Sequence, residues 1–255
     1  MKIKYPMEAF ALAIVVFSCH VQEAFLTGIL IIFITILGML IKDIIKNMLP
    51  KWSTNCCVTL LVLSIDHAIV NVVLNGLLKM ELSKTSIFIQ VVIALLVVKH
   101  IIADDAKDYD RHLFESSVVY GFFVLLSFIR EFISFGEIYG IKVIKLGFMT
   151  KGFQGVVFGL LFAGVVIAIV NGIFKYKADK NISLLIAIPI VIAEQPFLIR
   201  GIPEIYSIII SALVTIVLLV SISETLQFST IDKRWRNLPI ELVSLSILYL
   251  SLIAL

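Results

Sequence analysis

Four short polar groups interrupt a chain that is otherwise close to hydrocarbon in character: Cys19-His20, Asp66-His67, Lys99-His100 and Glu194-Gln195. Thiolate, imidazole and carboxylate are the side chains that ligate metals and pass protons or cations, and in a bilayer they are too costly to leave facing lipid. Asp66-His67 falls near the middle of a long apolar segment, with Asn71 and Asn75 following His67 at helical spacing. That pattern suits a proton or cation path, and equally a structural polar seam between helices. Glu194 and Gln195, flanked by Pro189 and Pro196, pose the same pair of readings. Asp66, His67 and Glu194 are therefore the candidate ion-path residues.

Cys19 sits at a helix break, where backbone N–H groups or a metal can stabilise a thiolate; otherwise it is a small apolar side chain at a helix contact. His20 caps or lines the break. His100 is followed by Asp104 and Asp108, four and eight residues on, which places an imidazole and two carboxylates on one helical face. This is metal-compatible spacing, but Lys107 and Arg111 are interleaved, as in any solvated connection. Cys56 and Cys57 open a helix at a membrane boundary and read as reduced thiols.

The elements that position these groups must lie in a membrane. Hydrophobic residues make up 60% of the chain and mean hydropathy is +1.09, values that exclude a soluble domain. No cleavable leader pattern is expected to remove the first segment. Three cysteines form no disulfide framework, and a net charge of +3 spread over short loops is no nucleic-acid footprint. Hydrolase and phosphate-loop motifs are lacking, as is any nucleotide-binding fold.

Apolar runs against polar punctuation give segments near 7–22, 24–41, 56–78, 86–103, 113–133, 152–174, 182–199, 205–223 and 238–255. Those holding Cys19-His20, Lys99-His100 and Glu194-Gln195 are expected to be broken, because each apolar run is shorter than the roughly 20 residues a crossing needs. If all nine cross, fourteen of the twenty-one Lys and Arg residues fall on one face, among them Lys4, Lys42, Lys99, Arg111 and Lys175. The positive-inside rule then places the N-terminus in the cytoplasm and the C-terminus outside a multi-pass cell-membrane protein. Trp52 and Trp235 fall in loops of the same face, at headgroup depth.

Leu125-Leu126-Ser127-Phe128-Ile129-Arg130-Glu131 echoes Leu218-Leu219-Val220-Ser221-Ile222-Ser223-Glu224, each after a broken segment. The expected fold is an all-α polytopic membrane protein of about nine transmembrane segments in three inverted-topology three-helix repeats with broken helices, over residues 1–80, 81–178 and 179–255. Arg130, Glu131 and Glu224 then end the second helix of their units at the interfaces, with Arg130 snorkelling toward headgroups.

The chain resembles the small integral subunits of the Rnf and sodium-pumping Nqr electron-transport complexes. Residues 1–140 are similar to the Rnf E or Nqr D type: Phe17-Ser18-Cys19-His20 stands at that family's Leu-Cys-Pro break, Leu49-Pro50-Lys51 precedes the third helix, and Ile129-Arg130-Glu131-Phe132-Ile133-Ser134-Phe135-Gly136 matches its Ile-Arg-Glu run. Residues 184–255 resemble the second half of the Rnf A type, with Ser223-Glu224-Thr225-Leu226 for its Arg-Glu-Arg-Leu and Leu238-Pro239-Ile240-Glu241 at the entry to its last helix. The resemblance implies an electron-transfer or non-catalytic subunit of an ion-translocating oxidoreductase complex, passing electrons across the membrane or scaffolding that path, coupled to cation translocation, and working with other integral membrane subunits and flavoprotein partners. It also implies a two-iron two-sulfur cluster shared with a partner subunit. Only Cys19 matches a family cysteine; His100 and Gln195 stand at the second and third positions, so Cys19 and His100 are the candidate metal ligands and Gln195 lines the matching break. Loss of the cluster is the other outcome. The rival reading is a cofactor-free carrier or channel for a small solute or cation that uses the same polar residues.

Overall fold

The computed structural model describes residues 3–77, 83–103, 108–143, 151–176, 182–194, 203–228 and 239–254. Among them are nine α-helices: α1 (Met7–Phe17), α2 (Val21–Ile45), α3 (Lys51–Ile69), α4 (Lys84–Ala103), α5 (Tyr109–Phe135), α6 (Val156–Phe174), α7 (Ile182–Glu194), α8 (Glu204–Phe228) and α9 (Ile240–Ala254). A π-helical segment, Val70–Leu77, continues α3, and a two-residue antiparallel hairpin, β1 (Glu137–Ile138) with β2 (Ile141–Lys142), follows α5. Each expected apolar segment is present as a helix or part of one. Six of the helical stretches are long and apolar enough to cross a membrane, which makes this a multi-pass membrane protein.

Punctuation in the chain sets the element ends. Pro6 precedes α1 and Pro50 precedes α3, positions where the missing N–H costs nothing. Gly136 closes α5 in the left-handed region at φ 67°, and the hairpin turns through Tyr139 and Gly140 at φ 56° and 74°. The expected interruption at Lys99-His100 does not occur, since α4 runs unbroken through both to Ala103. Neither residue breaks helices, and a cation such as Lys99 near a helix C-terminus complements the helix dipole.

The core centres on α1, which is apolar on every side and is enclosed by α2, α4, α5, α6 and α7. Its 11 residues span about 16 Å, little more than half of a hydrocarbon core of about 30 Å. Small residues allow this density: a Cβ at Gly159 of α6 would stand 2.4 Å from the Val15 carbonyl oxygen of α1, and one at Gly28 of α2 would stand 2.3 Å from the Tyr120 ring of α5. Outside lie lipid-type faces, such as Phe25, Ile29 and Phe33 on α2 and Ile205, Ile209, Leu213 and Val217 on α8.

Candidate functional site

A helix buried in apolar surroundings leaves its terminal N–H and C=O groups without water, so each end of α1 needs a partner. The first turn of α1 bonds back to the chain that leads into it, Met7 N–H to Tyr5 O and Phe10 N–H to Pro6 O, and helix α5 places a charged side chain near each end. At the start of α1, the Glu115 carboxylate accepts the Lys4 backbone N–H (3.3 Å), the Arg111 Nε–H (2.8 Å) and the Tyr176 hydroxyl (2.6 Å). Beside it the Tyr5 hydroxyl donates to Asn171 Oδ1 (3.2 Å). Burial, and after it the bond to Glu115, push the Tyr176 phenol up to about 12.

At the other end of α1 the Arg130 guanidinium is 1% exposed and gives all five of its N–H groups to acceptors. Nε donates to Phe153 O (2.8 Å), Nη1 to Val15 O (3.2 Å) and Ser18 Oγ (2.6 Å), and Nη2 to Gln154 O and Gly155 O (both 2.8 Å). The expectation that Arg130 snorkels is thus corrected: it is buried because the C-terminus of α1 and the approach to α6 present orphan carbonyls that only a forked cation satisfies together. Its neighbour Glu131 accepts the Val21 N–H that opens α2 (2.7 Å) and the Gly140 N–H of the hairpin (3.1 Å). Lys42 Nζ reaches the last turn of α4 at Ile101 O (2.8 Å) and Ile102 O (3.2 Å). Glu131 at the start of α2, and Arg130 and Lys42 at the ends of α1 and α4, have the signs the macrodipole favours. In the echo of Arg130-Glu131 at Ser223-Glu224, Glu224 is exposed.

These bonds also fix directions. Residues 4, 99–102, 42–43, 109–115 and 176 gather at one end of the bundle; residues 18–21, 130–140 and 153–155 gather at the other. Helices α1 to α6 therefore alternate in direction, and the described cations Lys4, Lys42, Lys99 and Arg111 share one end.

Two cavities open along the contact of α1 with α4, one toward each end. The first, about 200 Å³, is lined by Tyr5, Met7, Glu8, Leu96, Lys99 and His100 among others, and Lys99 Nζ bonds Glu8 Oε1 at 2.6 Å on its wall. The second is about 10 Å³ and is lined by Phe17, Glu23, Leu26, Thr27, Leu74, Ser86 and Gln90. Between them the seam is filled by buried apolar side chains, including Leu12 and Ile14 of α1 and Ile93 and Val97 of α4. On the far wall of the small cavity the Gln90 amide donates to Asp66 Oδ1 (3.2 Å), and Asp66 is 1% exposed. Among the described residues this neutral amide is the hydrogen-bond partner of the Asp66 carboxyl, and Asp66 lies one turn before the π-helical segment, an irregularity frequent at functional sites.

Of the residues singled out in the sequence, Asp66 is joined to this site through its bond with Gln90. His67, its neighbour, is exposed on the other side of α3 and bonds Asn71 (2.9 Å), because adjacent helical positions point about 100° apart. Glu194 ends α7, which packs against α1 and α4; its side chain and the whole of Gln195 lie outside the described residues, as do Asp104 and Asp105. Cys19 is half-buried at the α1–α2 break, its thiol 3.3 Å from Gln154 O. His100 lies at the opposite end of α1, with Nε2 3.1 Å from Lys4 O and its ring edge-on to His112. Metal–ligand bonds of about 2.0–2.3 Å cannot bring Cys19 and His100 onto one centre across the length of α1, so the pair does not fit a shared cluster. Among the described residues no group of three His, Cys, Asp or Glu side chains is placed to hold a metal.

Glu23, Gln90, Glu115 and Tyr176 were not singled out from the sequence. Gln90 carried a signal, a lone amide inside the run Ile87 to Val98; Glu23 reads as an ordinary acid in a first helical turn. The chain matches none of the known protein families, curated proteins or solved structures with which it was compared.

Proposed function

We propose that this chain is a cell-membrane carrier that moves a small cation or solute along the α1–α4 seam, using Asp66 and no resident redox cofactor. The observation that carries the reading is the Asp66 carboxyl, buried between α3 and α4 with a neutral amide as its partner, an amide that itself lines a small cavity. Such a carboxylate is costly in a low dielectric and is relieved by taking up a proton or a cation. Cavities at opposite ends of one helix pair, separated by an apolar plug, support a cycle in which the seam opens to each side in turn.

The same reading takes the nine helices as three inverted repeats. Its support is the alternation of α1 to α6 and the mutual contact of α1, α4 and α7, the first helices of the three units. The positive-inside rule assigns the lysine-rich end, and with it the N-terminus, to the cytoplasm, and the C-terminus to the outside. Reconstituted protein under an imposed pH or cation gradient is expected to show flux, and Asp66→Asn is expected to lower it at least tenfold. Flux unchanged in that variant refutes the reading.

A second reading, an electron-passing subunit of an Rnf/Nqr-like complex with flavoprotein and membrane partners, is favoured by one feature. Arg130 lies within electrostatic reach of Cys19, and a neighbouring cation stabilises a thiolate that a partner's ligands can complete into an iron site. Iron and acid-labile sulfide that co-purify with the chain and its partners, and disappear in Cys19→Ser, are the result this reading requires.

A further inference from the structure

Helix α3 lies at the edge of the bundle, packed on α2 and α4, with Val58, Val62 and Asp66 on its buried side. With α8 it has the smallest buried share of the six crossing helices. The outward sides of these two helices differ in chemistry. Exposed residues of α8 from Ile205 to Val220 are apolar apart from the hydroxyl of Tyr206, as contact with lipid requires. Those of α3 include Ser64, His67 and Asn71 beside Leu60 and Val72.

His67 is the central residue of the apolar run 56–78, about 16 Å from either end by helical rise, which puts its imidazole at the depth of the acyl chains. Its Nε2 lies 2.9 Å from Asn71 Nδ2, so the two polar groups stay together on the exposed side. Histidine inside a crossing helix almost always faces protein or a wet cavity, because lipid offers it no partner. This one is turned outward, and a protein surface is needed to cover it. Cys56, Leu60, Ser64, His67 and Asn71, all exposed, recur three or four residues apart and form one stripe along α3. Cys56 and His67, eleven residues apart, point within about 20° of each other. Ser64 and Ala68, exposed one turn apart, are small enough to let another helix approach closely.

We infer that the covering surface is the same stripe of a second copy, giving a two-fold dimer through α3. Copies inserted in the same direction are related by a two-fold axis along the membrane normal, which sets each residue of one α3 opposite its own counterpart at the same depth. A carboxylate or an ammonium there would meet its like and be repelled. Imidazole, amide and hydroxyl each combine donor and acceptor atoms, so they pair with copies of themselves. The one acid or lysine-type cation in the run, Asp66, is turned the other way, into its own protomer and onto Gln90. The dimer therefore leaves the Asp66 pair untouched, and it stands whether or not the chain is a carrier.

The full-length chain keeping Cys56 as its one cysteine (Cys19→Ala, Cys57→Ser) is oxidised in its membranes with copper phenanthroline, and light scattering gives the mass of the unoxidised parent in mild detergent. A disulfide-linked species of about twice 28.5 kDa is expected, formed at least tenfold faster than in the chain keeping Cys57 alone, whose side chain points about 100° away. The parent is expected to have the mass of a dimer. His67→Leu combined with Asn71→Leu, which makes the stripe an ordinary lipid-facing surface, is expected to lower the dimer fraction at least fivefold and to leave the protein soluble and folded as a monomer by size exclusion. Should that variant misfold, the contrast between Cys56 and Cys57 decides by itself. A monomeric parent with no Cys56 cross-link overturns the inference, and so does a dimer that cross-links equally at Cys57 and survives the double leucine variant. A parent that is monomeric alone and pairs only with a different protein puts another partner on the stripe and overturns it as well.

Discussion

Replacing Arg130 by methionine keeps most of the side-chain volume and removes every donor of the guanidinium. Of its five acceptors, three keep another hydrogen bond: the Ser18 hydroxyl still donates to Ile14 O, Gln154 O still accepts from Cys19, and Gly155 O still accepts from Gly159 N–H. The Val15 and Phe153 carbonyls have no other partner among the described hydrogen bonds. A buried polar group stripped of its partner costs about 1–3 kcal/mol, so two carbonyls put the loss near 4 kcal/mol, within about 2–6 kcal/mol. For a chain of this length each kcal/mol moves the midpoint by roughly 2–4 °C, so thermal unfolding of the detergent-purified protein is expected to drop by about 10 °C. Arg130→Lys retains charge but has three donors on a single nitrogen, which cannot reach acceptors on both α1 and the approach to α6, and should fall between. If Arg130→Met melts within 2 °C of the parent, the view that this cation holds the α1–α2 break by satisfying orphan carbonyls is wrong.

Gly159→Ala places a methyl 2.4 Å from the Val15 carbonyl oxygen, a backbone atom that cannot swing aside, and is expected to cost about 1–3 kcal/mol in the same melt; a neutral result would mean α1 and α6 are farther apart than described. Glu115→Gln leaves an amide where three donors now converge, so a comparable loss is expected, with proteolysis opening first at the N-terminal segment. For Tyr176 the folded state favours the neutral phenol, so its contribution is complete below the ordinary tyrosine value of about 10 and declines as pH rises through about 12. Ultraviolet difference titration of the parent against Tyr176→Phe should therefore show no ionisation from this residue near pH 10. In a cysteine-free background, a cysteine placed at Ser83 should react with a membrane-impermeant maleimide from outside intact cells and one at Lys51, exposed at the lysine-rich end, should not; the reverse pattern inverts the proposed orientation.

Composition and the spacing of apolar runs were sufficient for a helical membrane protein, because a bilayer accepts only segments whose backbone bonds close within themselves, and that constraint is written in hydropathy. The break at Cys19-His20 was legible for the same reason, and so was the inward face of Asp66, an acid that lipid refuses. Which polar residue meets which is a matter of register and rotation between helices, and hydropathy carries neither. Hence Lys99-His100 looked like a second break but lies near the end of an unbroken helix, with side chains that run to Glu8 and to the Lys4 carbonyl. Arg130 looked like an interfacial anchor, but α1 ends and α6 begins against it, and Gln90 and Glu23 gained meaning only when α4 and α2 closed around one small space. The sequence by itself determined that these charges must be hidden from lipid; the tertiary packing alone decided where, because a buried helix end is satisfied by whatever neighbouring helix delivers the opposite partial charge at hydrogen-bonding distance.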